Sequence, residues 1–222
     1  MRLFGSVTAN DETLSSEARL KETVTFLVAI LSSICEYRDL ESGEHVKRIQ
    51  QYTNIMIRKI MELYPEYGIT EDDCDLIVTA SALHDIGKIA ISDDILMKPG
   101  KLTIDEFTEI KRHTLYGCEI LDRFVQREDE FYRYCYDICK YHHERWDGKG
   151  YPEGLVGEKI PVWAHIVGIA DVYDALVNKK VYRGAVDPNK AVTMILDGNC
   201  GVFNPKVMDC FEQSLDEFEK VE

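Results

Sequence analysis

Apolar residues recur at helical spacing along almost the whole chain, most plainly from Val24 to Ile34, Ile49 to Leu63 and Cys74 to Leu83, and no segment alternates as a half-buried strand would. That periodicity restricts the chain to an all-α fold. Helix starts are marked by Thr70 with Asp73, by Thr103 with Glu106 and by Asp187-Pro188, each a capping residue ahead of a helical pattern. The breaks at Tyr64 to Thr70 and at Lys98 to Lys101 are short. One is long: the glycine-rich stretch DGKGYPEGLVGEKIP, Asp147 to Pro161, exceeds the usual connection in a compact domain, and loops of that length tend to be functional. With 222 residues the chain suits a single helical domain over 21–222, preceded by residues 1–20 as a tail, an extra helix or the remnant of a linker.

Composition narrows the function. The longest wholly apolar run, Phe26 to Leu31, falls far short of the ~20 residues of a membrane span. The first residues lack the marks of a secretory signal, so a cytoplasmic location is expected. Seven cysteines without a CxxC pair read as reduced thiols in the core. A formal charge of −14 makes duplex nucleic acid a poor partner, while a small anion remains acceptable where bound cations make the site locally positive.

The histidines carry the chemistry. Five of six, namely His45, His84, His113, His142 and His143, lie among acidic residues and glycines. Glu41 and His45 are four residues apart and would share a helix face. HDIGK, residues 84–88, brings an imidazole, a carboxylate and, on the face of His84, the Lys88 ammonium to one spot. Imidazole with carboxylate suits iron, manganese or zinc. Adjacent His142 and His143 would point about 100° apart on one helix and so reach two different ions. Asp171 follows an apolar run, where a carboxylate is costly unless paired or metal-bound, and Asp174 reads either as a partner for a histidine or as a polar edge. His165 points about 120° away from Asp171 and is left outside the site. Cys135 and Cys139 share a helical stripe with His142, but core packing is the commoner role for free cysteine.

These segments, YRDLESGEHVKRI, HDIGKIAISDDILMKPGKLT, KRHTLYGCEIL, HHERWDGKGYPEGLVGEKIP, DVYDAL and GVFNPKV, resemble the HD-GYP family of HD metal-dependent phosphohydrolases from about Glu36 to Phe211. The resemblance implies a helical HD domain with a GYP loop, hydrolysing cyclic di-GMP to linear pGpG, and onward to GMP in some members, at two or three iron or manganese ions. It implies the ligands His45, His84, Asp85, His113, His142, His143 and Asp171, with Glu41 favouring a third ion. Hydrolysis needs a nucleophile at neutral pH, which a metal-bridging hydroxide supplies. Lys88 is then expected at the phosphate or leaving group beside the catalytic Asp85, Tyr151 beside the substrate, and Lys180 and Arg183 at the second phosphate. The GYP loop, residues 150–152, also implies contacts with diguanylate cyclases, and a homodimer is compatible with the family. The chain departs from the family at Lys180, where arginine is usual, and at Val181, where proline is usual. Lysine grips phosphate as a point charge where arginine offers a planar fork, so substrate affinity or base selectivity is exposed more than the chemistry. The Lys180 departure keeps a phosphodiesterase for 3′,3′-cyclic GMP-AMP as an alternative; a catalytically silent receptor is the other, against which no expected ligand position is substituted.

Overall fold

The computed structural model describes residues 16–38, 44–123, 129–178 and 185–221. Among them there are helices and no strand, the nearest approach being one isolated antiparallel bridge between Asp147 and Val156. The helices are α1 (Ser16–Arg38), α2 (His45–Leu63), α3 (Glu71–Ser81), α4 (Asp93–Leu96), α5 (Ile104–Lys111), α6 (His113–Asp122), α7 (Glu130–Tyr141), α8 (Val162–Val177), α9 (Pro188–Leu196), α10 (Pro205–Gln213) and α11 (Leu215–Phe218). Short 3₁₀ turns occupy Pro65–Tyr67, Ile86–Ala90 and Gly157–Lys159.

Local chemistry sets several helix starts. Thr70 and Thr103 each accept from the backbone N–H three residues on, while Asp73 and Glu106 reach back to the capping residue's N–H, so both form full capping boxes. Asp187 accepts from Lys190 N–H ahead of Pro188, and Asn204 caps α10 through Lys206 N–H.

The centre of the bundle is α8, apolar almost all round and buried from Ala164 to Ala170. It packs on α2, α7, α9 and α10, and α2 in turn packs on α3. Ile49, Met56, Ile57 and Ile60 of α2 meet Ile77 of α3, Ile138 of α7 and Ile166 and Ile169 of α8 in one core. Tyr52, Tyr173, Phe211 and Phe218 close its far end in stacked and edge-on pairs 4.4–5.9 Å apart. No described helix is long and apolar enough to cross a membrane. The site histidines lie at the start of α2, just past the end of α3, at the start of α6 and just past the end of α7.

Candidate metal centre

His45 is the first residue of α2, His84 and Asp85 follow the end of α3, His113 opens α6, and His142 and His143 follow the end of α7. Each lies at or just beyond the end of a helix, which differs from the helical placement expected for two motifs. HDIGK is a turn running into the 3₁₀ segment Ile86–Ala90, so Lys88 reaches Asp85 Oδ2 at 2.8 Å three residues away and does not share a helix face with His84. His142 caps α7 and His143 lies beyond it, their rings 4.0 Å apart.

Two donor groups share Asp85. Asp85, His113, His142 and His143 form one, so the two adjacent histidines face a single site and not the two expected of them on a helix, and His45, His84 and Asp85 form the other, with the donor atoms of each group within 4.8 Å of one another. Backbone carbonyls fix which nitrogens carry protons. A carbonyl only accepts, so Nδ1–H of His84 donates to Ser81 O (2.9 Å), that of His113 to Ile110 O (2.7 Å) and that of His142 to Ile138 O (2.8 Å). In the neutral rings each Nε2 then presents a lone pair inward. His113 Nε2 and His142 Nε2 are 3.5 Å apart, with Asp85 Oδ1 at 3.1 and 3.8 Å from them. His45 repeats the pattern: its Nδ1 meets Asp174 Oδ2 at 2.7 Å, which turns Nε2 towards Asp171 Oδ1 at 3.9 Å.

A centre of acceptors is unfavourable without a cation. His84 Nε2 and Asp85 Oδ1 are buried with no hydrogen-bond partner, a costly state for polar atoms that a divalent ion would relieve. The donor set of imidazole nitrogens and carboxylate oxygens fits a borderline divalent ion. The electrostatics agree. Burial alone would raise the Asp85 carboxyl, but Lys88 and His84 hold it well below the usual range, so it is an anion. Burial lowers His84, but Asp85 more than offsets this and raises it to about 9, so without a cation this ring is protonated, and a bound ion would displace that proton. Burial, with neighbouring imidazoles, pushes His142 and His143 well below their ordinary value, leaving them neutral donors.

The support around the site is equally defined. Arg48, one turn after His45, donates from Nε and a terminal nitrogen to Asp174 at 2.6 and 3.1 Å, and Asn178 donates to the same carboxylate at 2.9 Å. Asp174 therefore orients His45, the first of the two readings left open for it. Two glycines permit the close approach of the elements: a Cβ on Gly87 would lie 1.9 Å from His113 O, and one on Gly168 of α8 2.4 Å from His142 O. Glu144, fully buried, accepts from the backbone N–H groups of Glu153 (2.7 Å), Gly154 (3.0 Å) and Leu155 (3.0 Å) and so ties down the glycine-rich loop. That loop sets Tyr151 over His143, ring centres 4.6 Å apart.

Of the residues expected in the site, His45, His84, Asp85, Lys88, His113, His142, His143, Tyr151 and Asp171 are brought together. Glu41, Lys180 and Arg183 lie outside the described residues. His165 stands apart, buried between Trp146 and Phe203, with burial lowering it to about 3. Cys139 donates to Leu83 O and, like Cys135, is core. Sequence reasoning missed Arg48, although its spacing of three from His45 put it on that face. It also gave no role to Glu144, whose partners lie nine to eleven residues on and depend on how the loop returns.

The chain is similar to known proteins. Residues 44–207 match the HD domain family. A cyclic di-GMP phosphodiesterase of Vibrio cholerae is 36% identical over 206 residues, covering 90% of this chain and 42% of that protein. A 3′3′-cGAMP-specific phosphodiesterase 2 of the same organism is 37% identical over 207 residues, covering 93% and 38%. The chain thus spans less than half the length of these relatives. The crystal structure of the V. cholerae cyclic GMP-AMP specific phosphodiesterase V-cGAP3 superposes with a TM-score of 0.59 at 17% identity, over 87% of this chain and 50% of that one, a likeness of fold.

Proposed function

The chain belongs to the HD domain family, and from that premise we propose that it is a cytoplasmic metal-dependent phosphodiesterase that opens cyclic di-GMP to linear pGpG. The observation that carries the reading is the pair of donor groups sharing Asp85, which suits two adjacent divalent ions, iron or manganese by the family's habit. His113, His142 and His143 would hold one ion, His45 and His84 the other, and Asp85 would bridge them. Asp171, whose Oδ1 lies 3.9 Å from His45 Nε2, would complete the second set, and Glu41 would add a ligand for a third ion.

Divalent ions there supply Lewis acidity, lowering the pKa of water from 15.7 towards about 7 and withdrawing charge from phosphoryl oxygens. The chain's own residues do the rest. Backbone carbonyls hold the protons of His84, His113 and His142 on Nδ1, away from the reacting phosphate. Lys88 is kept beside the centre by Asp85, where its ammonium would donate to a phosphoryl oxygen or to the departing 3′-oxygen. Tyr151 walls the site above His143 and would pack on the nucleotide, while Lys180 and Arg183 would meet the second phosphate. A diguanylate cyclase would meet the GYP loop on its outer face, where Lys149 and Val156 are exposed.

Relatives of nearly equal similarity carry cyclic di-GMP and 3′3′-cGAMP in their names, so cyclic GMP-AMP is the second reading. The test is turnover of both cyclic dinucleotides by anaerobically purified, metal-loaded protein, with products identified by mass. pGpG or GMP from cyclic di-GMP at the higher kcat/KM supports the proposal. Preference for cyclic GMP-AMP transfers it to the second reading, and nucleotide binding without turnover by loaded protein refutes it in favour of a receptor.

A further inference from the structure

Helix α1 bears a stripe that its own domain leaves uncovered. Its inner side, through Val28, Ser32 and Cys35, is buried on the turn that carries His84 and Asp85: Ser32 Oγ donates to Ala82 O at 2.7 Å, and Arg38 donates to Ile89 O and Ile91 O at 2.6 and 3.0 Å. Beside that covered side, Leu20, Val24, Leu27, Leu31 and Ile34 are 37–65% exposed. Their spacing of four, three, four and three residues is the a/d seam of a heptad repeat, with Val24 and Leu31 at a and Leu20, Leu27 and Ile34 at d. Ile30 and Tyr37 extend the seam at the flanking g positions and are exposed too.

We infer that this seam pairs two copies of the chain in a parallel, in-register two-stranded coiled coil. A seam of identical heptads is its own complement about a two-fold axis, which makes a second copy the partner that needs no further surface. The e side, Val28 and Cys35, is occupied by the helix's own domain, leaving room for one partner helix and not two or three. The upper heptad, Val24 at a between leucines at d, is the two-stranded pattern. Charge points the same way. Copies of a chain with formal charge −14 repel over most of their surfaces, but Thr23 to Cys35 contains no charged residue. A lipid surface fits less well, since in-plane membrane helices carry basic residues along the polar face and this stretch has none.

The experiment is sedimentation of the whole chain at micromolar concentration, with Leu27→Lys/Leu31→Lys and an off-seam control, Ser33→Lys. Twice the chain mass for the wild type and Ser33→Lys, and the single-chain mass for the double variant with unchanged far-UV circular dichroism, supports the inference. In parallel, Leu27→Cys should give a disulfide-linked dimer under mild oxidation, and Ser33→Cys none, a readout independent of how the lysine variant folds. A wild-type monomer, whether because residues 1–15 cover the stripe or because it floats with lipid vesicles, overturns the inference. So does a dimer that persists in a folded double variant, or equal cross-linking at both positions.

Discussion

Removing the Glu144 side chain should release the glycine-rich loop while leaving the bundle folded. Its carboxylate is fully buried and takes three backbone N–H groups, Glu153 and Gly154 on Oε1 and Leu155 on Oε2. Hydrogen bonds to a charged group contribute about 1.5–3 kcal/mol each, and three sharing one acceptor are not additive, so Glu144→Ala should cost the closed loop about 3–5 kcal/mol. Glu144→Gln keeps an oxygen for two of the donors but turns an NH₂ towards the Leu155 N–H, and should cost about 1–2 kcal/mol. Hydrogen exchange reads this directly, at a factor of ten in protection per ~1.4 kcal/mol. Protection at Glu153, Gly154 and Leu155 should fall by about two to three orders of magnitude in Glu144→Ala and about tenfold in Glu144→Gln, with α8 core amides unchanged. A loss under tenfold in Glu144→Ala would refute the assignment of this carboxylate as the anchor of the loop.

Two other perturbations follow from the structure. Asp174→Ala leaves the Arg48 guanidinium without its carboxylate and His45 without its orienting acceptor; equilibrium denaturation should show a loss of about 3–5 kcal/mol and titration a 10–100-fold weaker metal affinity, and a variant within 1 kcal/mol of wild type contradicts the network. Asp137, which accepts from Trp163 Nε1 beside Arg133 and Lys140, is raised by burial to about 6. Since the folded state binds the proton more tightly, this carboxyl costs nothing below about pH 4 and progressively more as pH rises through 6, reaching about 3 kcal/mol at most and about 1–2 after partial exposure is allowed for. Asp137→Asn keeps an acceptor for Trp163 and should raise Tm at pH 7.5 but not at pH 4; an equal change at both values contradicts the account.

What the sequence disclosed divides by range. Helical periodicity and the capping boxes at Thr70 and Thr103 depend on neighbours within a turn or two, so they are written locally and were readable. The ligand types and their motifs were readable as chemistry. Their backbone setting was not: HDIGK and His142-His143 have helix-compatible spacing but lie beyond helix ends, where Gly87 lets the first turn press against the His113 carbonyl and Gly168 lets α8 press against the His142 carbonyl. Convergence of five histidines from four segments is a property of how α2, α3, α6 and α7 pack, which no local pattern encodes. Asp174 shows the middle case, since its spacing from Asp171 marked it as a candidate partner, but only the packing of α2 on α8 chose His45 and Arg48 for it.

The central proposal is that Asp85 would be shared by two divalent ions, each held by its own group of histidines. Elemental analysis of anaerobically purified protein should find at least two divalent ions per wild-type chain. His45→Ala should lose one of them, and Asp85→Ala should lose both while retaining the wild-type circular dichroism. A single ion in the wild type, or full occupancy in a folded Asp85→Ala variant, would contradict it.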